Sequence, residues 1–246
     1  MAPLVLTDLD DTLFQTLPKC PPDHAGLRRM SVLADGTPSG FATMMQQHLL
    51  QWLSVGQVVP VTARGRDVLA RVDIPGAPAI CSNGGCIIEE GGALDLAWHS
   101  RLQDLAGKTE PVDEVYRRIT GALCAVRFRH WIVIENGLQL YIVIKSNEQD
   151  HAALAALEVE VSTEVPQGWR CHRNGNNLAY LPPWLSKRHA VRHFIERSRA
   201  EWPDRPIIGV GDSLSDVGFM DLCDLAAVPT QSQLWTQITD GSKWIE

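Results

Sequence analysis

The feature that most constrains the fold is a short apolar run followed at once by carboxylates. Residues 4–7 read LVLT, and Asp8, Asp10 and Asp11 crowd into the next four positions. A continuous apolar run of this length is typical of a strand buried on both faces, as found in parallel sheets covered by helices. Neighbouring carboxylates repel one another, so this strand end is either a solvated surface cluster or a site that holds a cation.

The same alternation of strand and helix continues along the chain. Apolar residues recur at helical spacing over 40–55, where Ser39 is a candidate cap. A second buried strand is predicted over 57–62, although Pro60 cannot donate a ladder hydrogen bond. After 178, a helix, a strand, a second helix and a final strand follow in turn. The pattern predicts an α/β fold with a doubly wound, mostly parallel, Rossmann-like sheet.

A middle block has a different pattern. Residues 127–146 form two β-rich runs joined through Asn136-Gly137, a strong hairpin signal. Further short strands are predicted over 158–165 and 168–181, and helices over 111–119 and 148–157. We therefore expect an α+β domain at 87–178, inserted into a parallel domain formed by 1–86 and 179–246.

Composition narrows the classes of partner. The net charge is −7, which disfavours a nucleic-acid or anionic-membrane partner. The six cysteines include no C-x-x-C pair, and the pattern predicts reduced thiols. No signal-peptide pattern and no 18-residue apolar stretch occurs. These features predict a cytoplasmic protein that acts on a small molecule.

Four polar segments fall at strand ends or helix starts. They are DLDDT at 8–12, VTARGR at 61–66, Ser186-Lys187, and GDSLSD at 211–216. Ligands of open α/β sheets bind beyond the carboxyl ends of the strands, so one site can gather all four segments. Several carboxylates, a hydroxyl and a lysine suit phosphoryl transfer assisted by Mg²⁺, which prefers oxygen ligands.

These segments resemble the motifs of the haloacid dehalogenase superfamily: D-x-D-x-T, a strand-end Ser or Thr, a Lys, and G-D-x-x-[S/T/N]-D. The resemblance covers roughly 1–86 and 179–246. The insertion is similar in position to the cap domain of Cof-type, sucrose-phosphate and mannosyl-phosphoglycerate phosphatases, and CSNGGCII resembles the crossing into that cap. Ser215 departs from the Asn that is more usual in these relatives.

The resemblance implies roles for the catalytic residues. Asp8 is the implied nucleophile, which forms an aspartyl-phosphate. Asp10 is the implied general acid and base, oriented by Thr12. Thr62 and Lys187 are implied to hold the phosphoryl oxygens.

The resemblance also implies a metal site and its support. Asp8, the backbone carbonyl of Asp10, and Asp212 are the implied Mg²⁺ ligands. Asp216 is implied to orient Lys187 or a metal-bound water, with Ser213 in a supporting position.

Two further residues have open interpretations. Arg64 is either a substrate contact or a surface arginine. Asn83 is either a substrate-side residue or a turn former. In the middle block, the basic and aromatic residues of RFRHW and WRCHR either bind a sugar or second anion or form the wet face of a sheet.

Three functions remain to be compared. The expected function is Mg²⁺-dependent hydrolysis of a small phosphomonoester, with phosphorylated carbohydrates as the first class. A phosphomannomutase-like transferase shares a similar core and cap. A receiver-type signalling module also combines carboxylates, a hydroxyl and a lysine, but receivers are about half this length and have no inserted sheet. The sequence does not indicate an oligomeric state.

Overall fold

The apolar run at 4–7 forms the first strand of a parallel sheet in the structure, a computed structural model that describes residues 1–23, 25–74, 78–121 and 123–240. Contacts divide the chain into two units, Met1–Asp95 with Lys187–Glu246, and Leu96–Ser186. The elements in chain order are β1 (Leu4–Thr7), β2 (Arg28–Val32), β3 (Pro38–Ala42), α1 (Met44–Leu53), β4 (Gln57–Pro60), α2 (Arg66–Leu69), β5 (Ala79–Cys81), β6 (Cys86–Ile88), α3 (Leu96–Ala106), α4 (Val112–Thr120), β7 (Phe128–Glu135), β8 (Leu138–Ser146), α5 (His151–Glu160), β9 (Arg170–Asn174), β10 (Asn177–Leu181), α6 (Lys187–Glu201), β11 (Ile207–Val210), α7 (Leu214–Met220), β12 (Leu225–Ala227) and α8 (Gln233–Thr239).

The first unit is built on a parallel sheet with the strand order β12-β11-β1-β4. Strand β1 is central and fully buried, with Leu4 and Leu6 both 0% exposed. Strand β5 follows through a parallel bridge between Val61 and Ile80. Pro60 is the last residue of β4, where a missing N–H costs least. The predicted α/β architecture with a parallel sheet is confirmed.

Helix α1 begins later than predicted. Phe41 lies in β3, and the N-cap is Thr43 instead of Ser39. The Thr43 side chain accepts from the backbone N–H of Gln46, and the Gln46 side chain accepts from the N–H of Thr43. This capping box satisfies two backbone donors at the helix start, which explains why the helix begins there.

The second unit contains an antiparallel sheet with the strand order β7-β8-β10-β9. The predicted hairpin between β7 and β8 is confirmed, with Asn136 at φ 50° and Gly137 at φ 79°. Helices α4 and α5 pack against this sheet. The strand predicted over 158–165 is wrong, because α5 extends through Glu160 and a 3₁₀ turn follows at Ser162–Glu164.

The unit boundaries differ from the expected domain limits at 87 and 178. Strand β6 pairs with β5 and therefore belongs to the first unit. Strand β10 pairs with β8 and β9, which keeps it in the second unit. The end of the expected second core segment, 241–246, lies outside the described residues. No helix in the described part of the chain combines the length and apolarity that a membrane crossing requires.

Candidate active site

Three parallel strands end at the same edge of the first unit's sheet. Asp8 directly follows β1 and donates its backbone N–H to the carbonyl of Val210 at 2.9 Å. Thr62 lies just beyond β4, and its N–H bonds the carbonyl of Ile80 at 2.9 Å. Asp212 lies just beyond β11. The parallel register brings these side chains, distant in sequence, to one edge.

Lys187, the first residue of α6, joins two of the carboxylates. Its Nζ donates to Oδ1 of Asp8 at 2.6 Å and to Oδ1 of Asp216 at 2.7 Å. The Lys187 side chain is 7% exposed, and those of Asp8 and Asp216 are 9% and 0% exposed. Ion pairs that are so buried are seldom kept for stability alone, because desolvation offsets much of their attraction.

The start of α7 fixes the position of Asp216. Its Oδ2 accepts from the backbone N–H of Ser213 at 3.1 Å and from the Ser213 hydroxyl at 2.7 Å. Gly211 permits this approach, since a Cβ on residue 211 would lie 2.5 Å from the Cβ of Asp216. The GDSLSD motif therefore has a local structural reason for its glycine and serine, and it leaves one Asp216 oxygen for Lys187.

Burial controls the ionisation of this cluster. Burial raises the pKa of Asp8 to about 8, against the lowering effect of Lys187 and with a further rise caused by Asp216. Burial, together with the nearby Asp216 and Asp11, raises the pKa of Asp212 to about 6. Burial alone would lower the pKa of Lys187, but Asp8 and Asp216 raise it above its ordinary value, so the lysine stays charged.

The donor set fits a divalent cation. Carboxylate oxygens of Asp8, Asp212 and Asp216 lie within 4.8 Å of one another. Three carboxylates face one ammonium group, Lys187, so the ionised cluster carries a net negative charge in a buried place. Hard oxygen donors of this kind suit Mg²⁺, and a cation would favour the ionised forms of Asp8 and Asp212. The expected ligand set included the Asp10 carbonyl, whereas the side-chain cluster includes Asp216.

Thr12 and Asp10 have partners that the sequence did not predict. The Thr12 hydroxyl donates to Oδ1 of Asp212 at 3.2 Å, although we expected it to orient Asp10. Asp10 instead accepts from both Nε and a terminal nitrogen of Arg64, each at 2.7 Å. The Arg64 guanidinium also lies 5.1 Å from the centre of the Phe14 ring. The structure therefore places Arg64 at the site, against Asp10.

Thr62 and Asn83 lie close together in the backbone. The Thr62 hydroxyl oxygen accepts from the N–H of Arg64 at 3.1 Å, which leaves its own proton available to donate. Asn83 donates its backbone N–H to the Thr62 carbonyl at 3.0 Å and has a φ of 57°. The structure thus shows a turn-forming position for Asn83, and its substrate-side role remains a prediction.

Asp11 differs from its neighbours in the opening motif. Its φ of 63° lies in the left-handed region that favours glycine and that aspartate tolerates. Its carboxylate pairs with Lys19 at 2.5 Å, and both side chains are partly exposed. The ion pair of Asp11 with Lys19 could not be predicted from the sequence, because Lys19 lies in none of the four motif segments.

Comparisons with known proteins give a fold. No protein-family model matches the chain, and a search of curated proteins finds no match. Among solved structures, the sucrose-phosphatase of Synechocystis, in complex with sucrose and phosphate, is 16% identical with a TM-score of 0.58, covering 100% of this chain and 90% of that one. A Thermoplasma acidophilum protein is 14% identical (TM-score 0.55, coverage 99% and 90%), and a Thermotoga maritima protein is 12% identical (TM-score 0.51, coverage 99% and 91%).

These similarities extend over almost the whole chain, including the inserted unit. The resemblance to sucrose-phosphate phosphatases that was drawn from the motifs is confirmed at the level of the fold. The chain therefore has the same fold as the sucrose-phosphatase of Synechocystis, with a parallel-sheet unit and an inserted α+β unit.

Proposed function

We propose that the chain is a Mg²⁺-dependent phosphomonoester hydrolase that works through an aspartyl-phosphate on a small phosphorylated metabolite. One observation carries this proposal. Asp8, Lys187 and the pair Asp212 and Asp216 come from three distant segments and form one buried cluster at the carboxyl edge of the sheet. A buried cluster with more carboxylates than cations favours a metal ion and an anionic substrate together over either alone.

In the proposed reaction, a carboxylate oxygen of Asp8 attacks phosphorus. The new bond joins Asp8 to the phosphoryl group, and the ester P–O bond breaks. Thr62 and Lys187 donate hydrogen bonds to the phosphoryl oxygens as charge develops on them. Mg²⁺, held by Asp8, the Asp10 backbone carbonyl and Asp212 with support from Asp216, would supply further charge neutralisation at those oxygens.

Asp10 would carry the proton between the two half-reactions. It gives a proton to the departing alkoxide and later accepts one from the water that hydrolyses the aspartyl-phosphate. Both of its oxygens accept from Arg64 in the structure, so proton transfer requires at least one of these hydrogen bonds to open. The net reaction consumes one ester and one water and yields an alcohol and phosphate.

For the substrate class, we propose a sugar phosphate. The support is the fold similarity to a sucrose-phosphatase whose structure holds sucrose and phosphate. We also propose that the inserted unit, Leu96–Ser186, determines which ester is accepted, and that the protein works in the cytoplasm.

The test is a panel of sugar, nucleotide and cofactor phosphates, with phosphate release measured in Mg²⁺ and in EDTA. We expect phosphate release from at least one sugar phosphate in Mg²⁺. Phosphate release should stop in EDTA and return when Mg²⁺ is restored. Activity that persists in EDTA would contradict the metal requirement. Interconversion of sugar phosphate isomers without net phosphate release would instead identify the mutase alternative.

A further inference from the structure

A cavity of about 590 Å³ lies in the first unit, away from the carboxylate cluster. Its lining includes Gln57, which begins β4, and Arg205, which lies two residues before β11. The cavity is therefore at the amino edge of the parallel sheet, whereas Asp8 and Asp212 lie at the carboxyl edge. Its volume falls in the range of small-molecule sites.

The second half of α6 and the residue that follows it give the cavity an aromatic wall. Phe194 and Trp202 both line it, and Trp202 is 44% exposed although it is a large apolar side chain. Exposed indole rings bind apolar stems, and their faces attract cations.

The charged side chains that line the cavity differ in whether a described residue of opposite charge pairs with them. Arg197 is compensated, because it pairs with Glu89 at 2.6 Å and with the buried Asp95. Among the described residues, the one donor to the Glu90 side chain is the neutral amide of Gln57, at 2.6 Å.

Glu201 adds a second unmatched carboxylate. Within the described residues, its side chain has no hydrogen bond or ion pair, and it stands at the C-terminal end of α6, where the helix dipole is also negative. Arg205, whose Nε donates to the Ala2 carbonyl, is the cation of the lining that has no carboxylate partner in the part of the chain that the structure describes. The two unmatched carboxylates and the helix end outweigh this one guanidinium, so the cavity favours a cation.

We propose that this cavity binds a small organic cation, an amine or guanidine on an apolar stem. The charged head would lie at Glu90 and Glu201, and the stem would pack against Phe194 and Trp202. This site is independent of the proposed phosphatase activity, since it uses none of the residues of the carboxylate cluster.

The test is isothermal titration calorimetry on the full chain with three probes that share one carbon chain: cadaverine, pentanediol and glutarate. We expect cadaverine to bind in the millimolar range or tighter, and the uncharged and anionic analogues not to bind. Absence of cadaverine binding, or equal binding of pentanediol or glutarate, would overturn the proposal.

Two variants and a matched control locate the binding. Glu201→Gln should weaken cadaverine binding about tenfold through loss of a charged partner. Trp202→Ala should weaken it about threefold or more, and circular dichroism checks that this variant of an exposed side chain stays folded. Glu196→Gln, on the exposed side of the same helix, should change nothing. Equal effects of Glu196→Gln and Glu201→Gln would show attraction to a general acidic surface and contradict the assigned site.

Discussion

Two aspartates at opposite ends of β11 show how differently the two edges of the parallel sheet are built. Asp212 follows the carboxyl end, and its burial raises its pKa to about 6. Asp224 lies at the amino end, where it accepts from Arg199 at 2.7 Å and from the N–H of Ile207 at 2.8 Å. The Arg199 and Ile207 hydrogen bonds lower the pKa of Asp224.

The same residue type therefore has opposite effects on stability. Asp224 is half-exposed and matched with donors, so its charge stabilises the fold. Asp212 is buried beside Asp216, and its charge costs free energy until a cation arrives. The difference teaches that burial beside another carboxylate makes a charge costly, whereas partial exposure with matched donors makes a charge stabilising.

The largest expected effect is on turnover at the carboxyl edge. Asp8→Asn keeps the shape of the side chain but removes the nucleophilic carboxylate, so phosphate release should fall by about 10⁴-fold or more. Thermal stability should stay about unchanged, because Asn still offers an oxygen to Lys187. Asp11→Asn is the matched control in the same motif and should keep turnover within about threefold, since its Lys19 pair is partly exposed. If Asp8→Asn and Asp11→Asn lose the same turnover, the assignment of the nucleophile to Asp8 and not to Asp11 is contradicted.

The next effect is on stability. Lys187→Met leaves Asp8 and Asp216 buried together without their shared cation, and it should lower the free energy of unfolding by about 3–5 kcal/mol. Arg199→Met breaks the half-exposed pair with Asp224 at the amino edge and should cost about 1 kcal/mol or less. Urea unfolding of the metal-free proteins measures both. If the two variants lose the same stability, the contrast between the edges is wrong.

The pH dependence of Asp212 gives a smaller effect with a definite sign. Because its folded pKa is raised, the folded state holds the proton more tightly, and metal-free stability falls as pH rises from about 4 to about 6. Asp212→Asn removes this loss, so the metal-free variant should be more stable than the wild type at pH 7, on the order of 1 kcal/mol after solvent screening, and equal to it near pH 4.

Adding Mg²⁺ should reverse that order. The wild type should gain more thermal stability from Mg²⁺ than Asp212→Asn does, because the variant has lost a ligand. An identical Mg²⁺ response in both proteins would contradict the placement of the metal.

The smallest effect belongs to the amino edge. Asp224 has a lowered pKa, so its stabilising contribution is complete above its ordinary value near 4 and is lost as pH falls below it. Asp224→Asn should therefore cost about 0.5 kcal/mol at pH 7 after solvent screening, because the Asp224 side chain is 45% exposed, and the deficit should shrink below about pH 4. Chemical unfolding across this pH range measures it. If the deficit does not change with pH, the shape of the Asp224 side chain, and not its charge, keeps the hydrogen bond from the Ile207 N–H.

The sequence predicted those parts of the fold in which local pattern and tertiary burial agree. The run at 4–7 reads as a buried strand and is one, and Asn136-Gly137 adopts the backbone that a tight hairpin requires. The run at 158–165 alternates like a strand, yet its first residues continue α5, because Asp150 caps that helix and Leu154 and Leu157 are buried by it.

Some elements of the fold were not predicted. The β2–β3 hairpin was missed although its turn contains Asp35-Gly36, a hairpin signal of the Asn-Gly kind, with Gly36 at φ 84°. Helix α3 was missed because its sequence carries weak periodicity, and there tertiary packing outweighs local propensity.

At the site, strand ends were predictable and side-chain partners were not. The motifs placed Asp8, Thr62 and Asp212 at one edge because parallel strands share it. The hydrogen bonds from Arg64 to Asp10 and from Thr12 to Asp212 depend on rotamers in loops, which sequence spacing does not determine.

The most direct test of the account is chemical capture of the covalent intermediate. The full chain would be mixed with p-nitrophenyl phosphate and Mg²⁺, quenched in acid, reduced with borohydride and digested for mass spectrometry. An acyl phosphate at Asp8 predicts homoserine at that one position, dependent on substrate. Turnover accompanied by an unmodified Asp8 peptide, or by the label at another carboxylate, would contradict the claim that Asp8 attacks phosphorus.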